Sequence, residues 1–211
     1  MLSSIEGIHA IRYGRIVPML TESEKQNLRK VLNNNQLTAR DASIIKLGFH
    51  TGIRACDVIK LKLSDIDWDM ETISFIQSKT GNPVTFPLTT DVGNSIAEYL
   101  TNERPKIASP FLFLSTLPPF NPFTDHSACY SITKNAFELA GIQKQGRIFG
   151  MHMLRHNAAS SMVQNGIPLE TISAILGHSD SNSTGIYITT DEKRLKDCVL
   201  PMQLTAPEGA L

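Results

Sequence analysis

The spacing of residues between Met151 and Tyr187 constrains this chain more than any other feature. Leu154, Ala158 and Met162 recur every four residues and mark one buried helix face. His152 and Arg155 stand three apart, so a helix projects both from one side, near its start. Asn165 and Gly166 tolerate left-handed backbone and predict the C-terminal cap. Pro168 suits the beginning of a further helix, with Ile172, Ile175 and Leu176 as its apolar stripe. Gly177 stops that helix and leaves His178 on the turn beyond it. Asp180 or Ser181 can cap a short helix carrying Tyr187. Histidine, arginine and tyrosine side chains are thus strung over helix starts and ends. A guanidinium suits bidentate contact with phosphate oxygens, and a tyrosine hydroxyl can serve as a covalent nucleophile.

Upstream, residues 1–18 lack a clear period and read as a mildly basic arm. Thr21 with Glu24 three residues on predicts a capping box, followed by a helix with Leu28, Val31 and Leu32 inward. A second helix spans about Thr38–His50. Gly52 breaks it, and Arg54 opens a new helix whose inner face is Val58 and Leu61. Asp57, near Arg54 on that helix, can hold the guanidinium. Leu63–Trp68, Thr72–Gln77 and Val84–Leu88 read as three short strands, with turns at 69–71 and 79–82. Asp91–Glu103 predicts a helix with Val92, Ile96 and Leu100 inward. A Pro- and Phe-rich connector follows, with Phe111–Leu114 as a buried strand. Thr124–Ala140 predicts another helix, closed by Gly141. After Tyr187, Thr190–Lys196 makes a short charged helix, and the tail 198–211 carries Val199, Leu200, Met202 and Leu204.

Composition narrows the classes. With 211 residues the chain can build one ordinary domain with a real core. No apolar run reaches the length of a membrane span and no signal peptide stands at the start, so a reduced cytoplasmic compartment is the simplest reading. Cys56, Cys129 and Cys198 have neither paired nor metal-ligand spacing, and no phosphate loop or zinc pattern occurs. Twenty basic residues balance twenty acidic ones, which argues against a protein basic all over. A nucleic-acid face then requires segregated charge. Lys144, Arg147, His152, Arg155 and His156 form one such cluster, with no acid between Gly141 and Gln164.

The ordered set His152-x-x-Arg155-His156, Leu176-Gly177-His178 and Tyr187 closely resembles the C-terminal half of the tyrosine recombinase (phage integrase) catalytic domain. Thr51-Gly52-Ile53-Arg54 followed by an acid resembles that family's first arginine box. Cys56 stands where Gly or Ser is usual there, and Asp57 where glutamate is commoner. The resemblance covers about 19–196. It implies an α+β, mainly helical catalytic domain over 19–197 with a small three-stranded antiparallel sheet, flanked by an arm (1–18) and a tail (198–211) that docks on a neighbouring protomer. Arg54, Lys79, His152, Arg155, His178 and Tyr187 are the implied catalytic set, with Asp57 and His156 behind them. The implied substrate is double-stranded DNA, cut and rejoined through a 3′-phosphotyrosine without metal, ATP or other cofactor, by a tetramer on DNA. Family members usually carry a further DNA-binding domain ahead of this one, so a catalytic fragment or a truncated gene is expected. A non-catalytic DNA-binding module of the same fold and a type IB topoisomerase are the alternatives.

Overall fold

The computed structural model describes residues 19–177. The arm at 1–18, His178, Tyr187, the helices expected after Gly177 and the tail lie outside the described residues. Among those described, no helix is long and apolar enough to cross a membrane.

Helix α1 (Glu22–Asn33) begins as its sequence dictates. The Thr21 hydroxyl accepts the Glu24 amide at 3.2 Å, and the Glu24 carboxylate accepts the Thr21 amide at 2.8 Å. Such a cap is worth about 1 kcal/mol. Leu28, Val31 and Leu32 face inward. Helix α2 (Ala39–Thr51) is the hub. It packs on α4 (Thr90–Glu98), α5 (Ser127–Leu139) and α6 (Met151–Gln164) and is buried on nearly every side, so polar as well as apolar side chains face the interior. Ile44, Ile45 and Leu47 are fully buried, each worth about 1.5–3 kcal/mol. Its buried polar groups are all matched. Ser43 donates to Ala39 O and meets Ser95, Thr51 donates to Leu47 O, Lys46 pairs with Asp91, and Arg40 with Asp41.

Helix α3 (Ala55–Val58) is one turn, shorter than the helix to Leu61 that periodicity suggests. Leu61 is still buried, but its carbonyl accepts the Leu112 amide at 2.8 Å, which diverts the chain into an extended pairing with the 111–114 segment. The first expected strand is likewise cut short. Asp65 accepts the Lys62 amide and winds residues 63–65 into a 3₁₀ turn, leaving β1 as Ile66–Asp67. Strands β2 (Thr72–Ile76) and β3 (Pro83–Pro87) complete an antiparallel sheet in the order β1-β2-β3. Ile73 opposite Phe86 faces the core, and Ser74 opposite Thr85 faces water. β3 is an edge strand, where its terminal prolines break no ladder.

Helix α4 (Thr90–Glu98) runs into a π turn at Tyr99–Glu103 rather than continuing as one α-helix. The extra residue per turn buries Tyr99 and leaves the expected Leu100 only half-buried. It also aims the Glu103 carboxylate at the free amides of Ala39 and Arg40, at 2.7 and 3.1 Å, where α2 begins. Helix α5 (Ser127–Leu139) starts three residues later than Thr124. Helices α6 (Met151–Gln164) and α7 (Leu169–Leu176) follow, ended by Asn165–Gly166 and by left-handed Gly177. Ala159, Val163, Ile172 and Leu176 form a separate small core between α6 and α7. Helix α7 is thereby tied to the hub through α6.

Candidate functional site

Gly52 is the pivot of the site. It caps α2 in the left-handed conformation (φ 68°), and a Cβ there would lie 3.1–3.2 Å from Leu176 and Ala158 side chains. The bare backbone therefore lets α2, α6 and α7 meet at one point. Arg54, two residues on, leaves that point in extended conformation as the N-cap of α3. Arg155 arrives from the first turns of α6.

Both guanidiniums turn to the C-terminal end of α7. Arg54 Nη2 donates to Gly177 O at 2.5 Å, and Arg155 Nη2 donates to Leu176 O. Arg155 Nη1 also donates to Gly52 O at 2.8 Å. The last carbonyls of a helix lack intrahelical partners and carry its negative pole, so two cations satisfy them well. Arg54 Nη1 is buried and has no hydrogen-bond partner among the described residues. That is a costly state for a charged donor, and an anion's oxygen would relieve it.

A cavity of about 230 Å³ opens between these elements. Arg54, Lys79, His152 and Arg155 line it, brought from α3, the β2–β3 turn and α6. His126, Cys56 and Met151 line it too. No carboxylate among the described residues does, so a chain of zero net charge has grouped cations here. A larger cavity of about 430 Å³ lies by the π turn and holds none of this set. Two of its charged groups are already engaged, Glu103 on α2 and Arg40 on Asp41 and Leu114 O.

His152 is exposed, yet the atoms crowding its ring and the nearby charges of Arg155, His126 and Arg54 all hold its pKa below the ordinary histidine value. It is thus biased toward the neutral imidazole that can accept a proton. His156, one turn on, is half-buried and does not line the cavity. Burial, then His152 and Arg155, press its pKa down as well. The Cys56 thiol is pushed up by burial and by Asp57, which keeps it protonated. Among the described residues, no cluster of three or more His, Cys, Asp or Glu could hold a metal ion.

Asp57 departs from expectation. It is buried, but its carboxylate does not hold Arg54. Its Oδ1 accepts the Ser78 amide at 2.7 Å, across from α3 to the turn that carries Lys79. Arg54 sits at the cap, before the helix turns, so its side chain diverges from the next turn toward α7.

Three contributors escaped the sequence reading. In the sequence Cys56 stands out only as a departure from a pattern. His126 fell inside an expected helix, whereas it immediately precedes α5 and points an exposed ring, paired with Asp125 at 3.0 Å, at the cavity rim. Gln77, at the end of β2, is almost wholly buried and donates to Ile175 O in α7. A polar residue at a strand end carries no signal of its own, since polar residues are ordinary there.

The chain matches the phage integrase family over residues 18–194. "Putative integrase/recombinase y4rF" of Sinorhizobium fredii is 31% identical over 171 residues, covering 81% of this chain and 39% of that protein. Tyrosine recombinase XerD of Listeria innocua is 28% identical over 200 residues, covering 86% of this chain and 65% of that protein. The chain therefore spans well under half of the first of these relatives. Among solved structures, XerA recombinase superposes with a TM-score of 0.72 at 25% identity, over 85% of this chain and 63% of the other. The fold is also that of XerH site-specific recombinase in a post-cleavage complex with its difH substrate, with a TM-score of 0.72 at 22% identity, over 87% and 52%.

Proposed function

The chain belongs to the phage integrase family, and from that premise we propose that it carries the catalytic domain of a site-specific DNA recombinase. The observation that carries the reading is the cavity, lined by no carboxylate among the described residues, where Arg54, Arg155, His152 and Lys79 converge, beside a buried guanidinium nitrogen suited to a phosphate oxygen.

The Tyr187 oxygen attacks a backbone phosphorus. The Tyr187 O–P bond forms, the bond from phosphorus to the 5′-oxygen breaks, and the strand is left with a 3′-phosphotyrosine and a free 5′-hydroxyl. His152 takes the tyrosine proton, and Lys79 gives one to the departing 5′-oxygen. Arg54 and Arg155, with His178 as a further donor, hold the non-bridging oxygens on which charge builds in the transition state. Arg54 Nη1, which has no hydrogen-bond partner among the described residues, is the donor best suited to meet that charge. One phosphodiester is exchanged for another of similar energy, so ATP is unnecessary, and guanidiniums supply the charge that a metal would otherwise bring. A 5′-hydroxyl from a second strand then attacks the phosphotyrosine and rejoins the DNA. The partner is double-stranded DNA. The apolar residues Val199, Leu200, Met202 and Leu204 support docking of the 198–211 tail on a neighbouring protomer within a tetramer on DNA.

Trapping on a nicked suicide duplex tests the assignment. Wild type should form a covalent adduct, while Tyr187→Phe should bind the duplex and form none. An adduct with Tyr187→Phe overturns the nucleophile. Binding by wild type without an adduct makes the chain a non-catalytic DNA-binding module.

A further inference from the structure

We propose that Gln77 is a positioning residue, which locks the Lys79 turn to the C-terminal end of α7 and so sets where the lysine can deliver its proton. The inference rests on the reading of Lys79 as the acid for the leaving 5′-oxygen.

Residues 78–82 form an exposed hairpin tip, and Lys79 and its neighbour Ser78 are both exposed. Such tips ordinarily open with almost no free-energy cost. A lysine also has four rotatable side-chain bonds, so the backbone beneath it must be held if the ammonium is to reach one atom reproducibly. Gln77 holds that backbone. It is 3% exposed. Its amide donates to Asn82 O and its carbonyl accepts the Gly81 amide, each at 2.9 Å, closing the turn. Its side chain then works in both directions. Oε1 accepts the Thr80 hydroxyl at 2.8 Å within the turn, and Nε2 donates to Ile175 O at 3.1 Å in α7. A glutamine supplies donor and acceptor from one planar group, whereas an ionised aspartate or glutamate in its place could only accept.

The α7 end is shaped to receive it. A Cβ on Gly177 would stand 1.6 Å from Gln77 Oε1 and 2.6 Å from Cδ, so only glycine leaves room for the amide. The Gly177 carbonyl in turn accepts Arg54 Nη2. Asp57 grips the other side of the same turn through Ser78. The lysine turn, the first arginine and the end of α7 are therefore one hydrogen-bonded unit, and Gln77 is the side chain shared by turn and helix.

Gln77→Met tests this, because methionine keeps the length and most of the packing but can neither donate to Ile175 O nor hold Thr80. Substrates are suicide duplexes, recovered by covalent capture on wild type from a randomised pool, with oxygen or sulfur at the bridging 5′ position. A thiolate leaves without a proton. On the oxygen duplex, Gln77→Met should cleave about a hundred-fold more slowly in single turnover, as expected of a misplaced catalytic group. Sulfur should restore most of that rate, as it should for Lys79→Ala and should not for Arg54→Ala. Amide hydrogen exchange at 78–82 should also accelerate in Gln77→Met while that of α2 is unchanged. Equal losses on both duplexes, or unchanged exchange at 78–82, overturn the inference. Failure of sulfur to rescue Lys79→Ala would instead refute the acid assignment, and hydrogen exchange would still decide whether Gln77 fixes the turn.

Discussion

Replacing Gly177 by alanine should be among the more damaging single-methyl changes in this protein, and its cost can be assembled from two parts. The residue is left-handed, at φ 61°, where an L side chain is strained by about 1–2 kcal/mol. The new methyl would also overlap the buried Gln77 amide, whose nearest atom lies 1.6 Å from the Cβ position. Gln77 can swing aside, but only by giving up its bonds to Ile175 O and Thr80, at about 1 kcal/mol each. The total is about 3–4 kcal/mol. For a chain of this size that lowers Tm by roughly 6–16 °C. Urea unfolding of a double-mutant cycle separates the parts. In a Gln77→Ala background the overlapping amide is gone, so Gly177→Ala should cost chiefly the backbone strain, leaving a coupling of about 2 kcal/mol. Equal costs in the two backgrounds would refute the steric argument, and a loss below about 1 kcal/mol in wild type would refute the strain as well.

Arg147→Met should destabilise by about 2–3 kcal/mol, since Arg147 holds the shielded Glu24 carboxylate at 2.7 and 3.0 Å and also bonds Met19 O and Gln143 O. The Arg147 bonds hold the Glu24 carboxyl below its ordinary value of 4.5, so this stabilisation is complete above that value and fades as pH falls through the lower folded one. Urea midpoints of Arg147→Met should lack that acid-side loss, and a curve parallel to wild type would count against the pairing. Because the atoms crowding its ring and three neighbouring charges depress His152, the acid limb of single-turnover cleavage should lie below about pH 6.5, and His126→Ala should move it upward. A limb above that value would contradict His152 as the base. DNA binding by this chain, measured by fluorescence anisotropy, should be weak, because its charge is balanced overall, and should fall with added salt, because phosphate contacts release counterions. Tight, salt-indifferent binding would exclude a phosphate-clamping cavity.

Much of this protein was legible along the chain. The Thr21–Glu24 capping box, the break at Gly52, the stop at Asn165–Gly166, the start at Pro168 and the end of α7 at Gly177 all fall where local spacing puts them. Each depends on groups within four or five residues of one another, and helix period and cap chemistry are properties of such short windows. The alternation of Ile73 and Phe75 against Thr72 and Ser74 identified β2 for the same reason.

Partner choice was decided elsewhere. Asp57 serves the amide of Ser78, 21 residues away, and not the arginine one turn before it, because α3 lasts a single turn and Arg54 leaves it from the cap. Arg54 reaches Gly177 across 123 residues, and Gln77 reaches Ile175 across 98. The π turn that buries Tyr99 places Glu103 on the start of α2, 64 residues back. Sequence alone determined where most helices and the β2–β3 hairpin form and which residue types could meet phosphate. Only the tertiary structure decided which donor faces which acceptor, because that depends on how whole helices pack around α2, and a packing solution minimises the energy of many distant contacts at once.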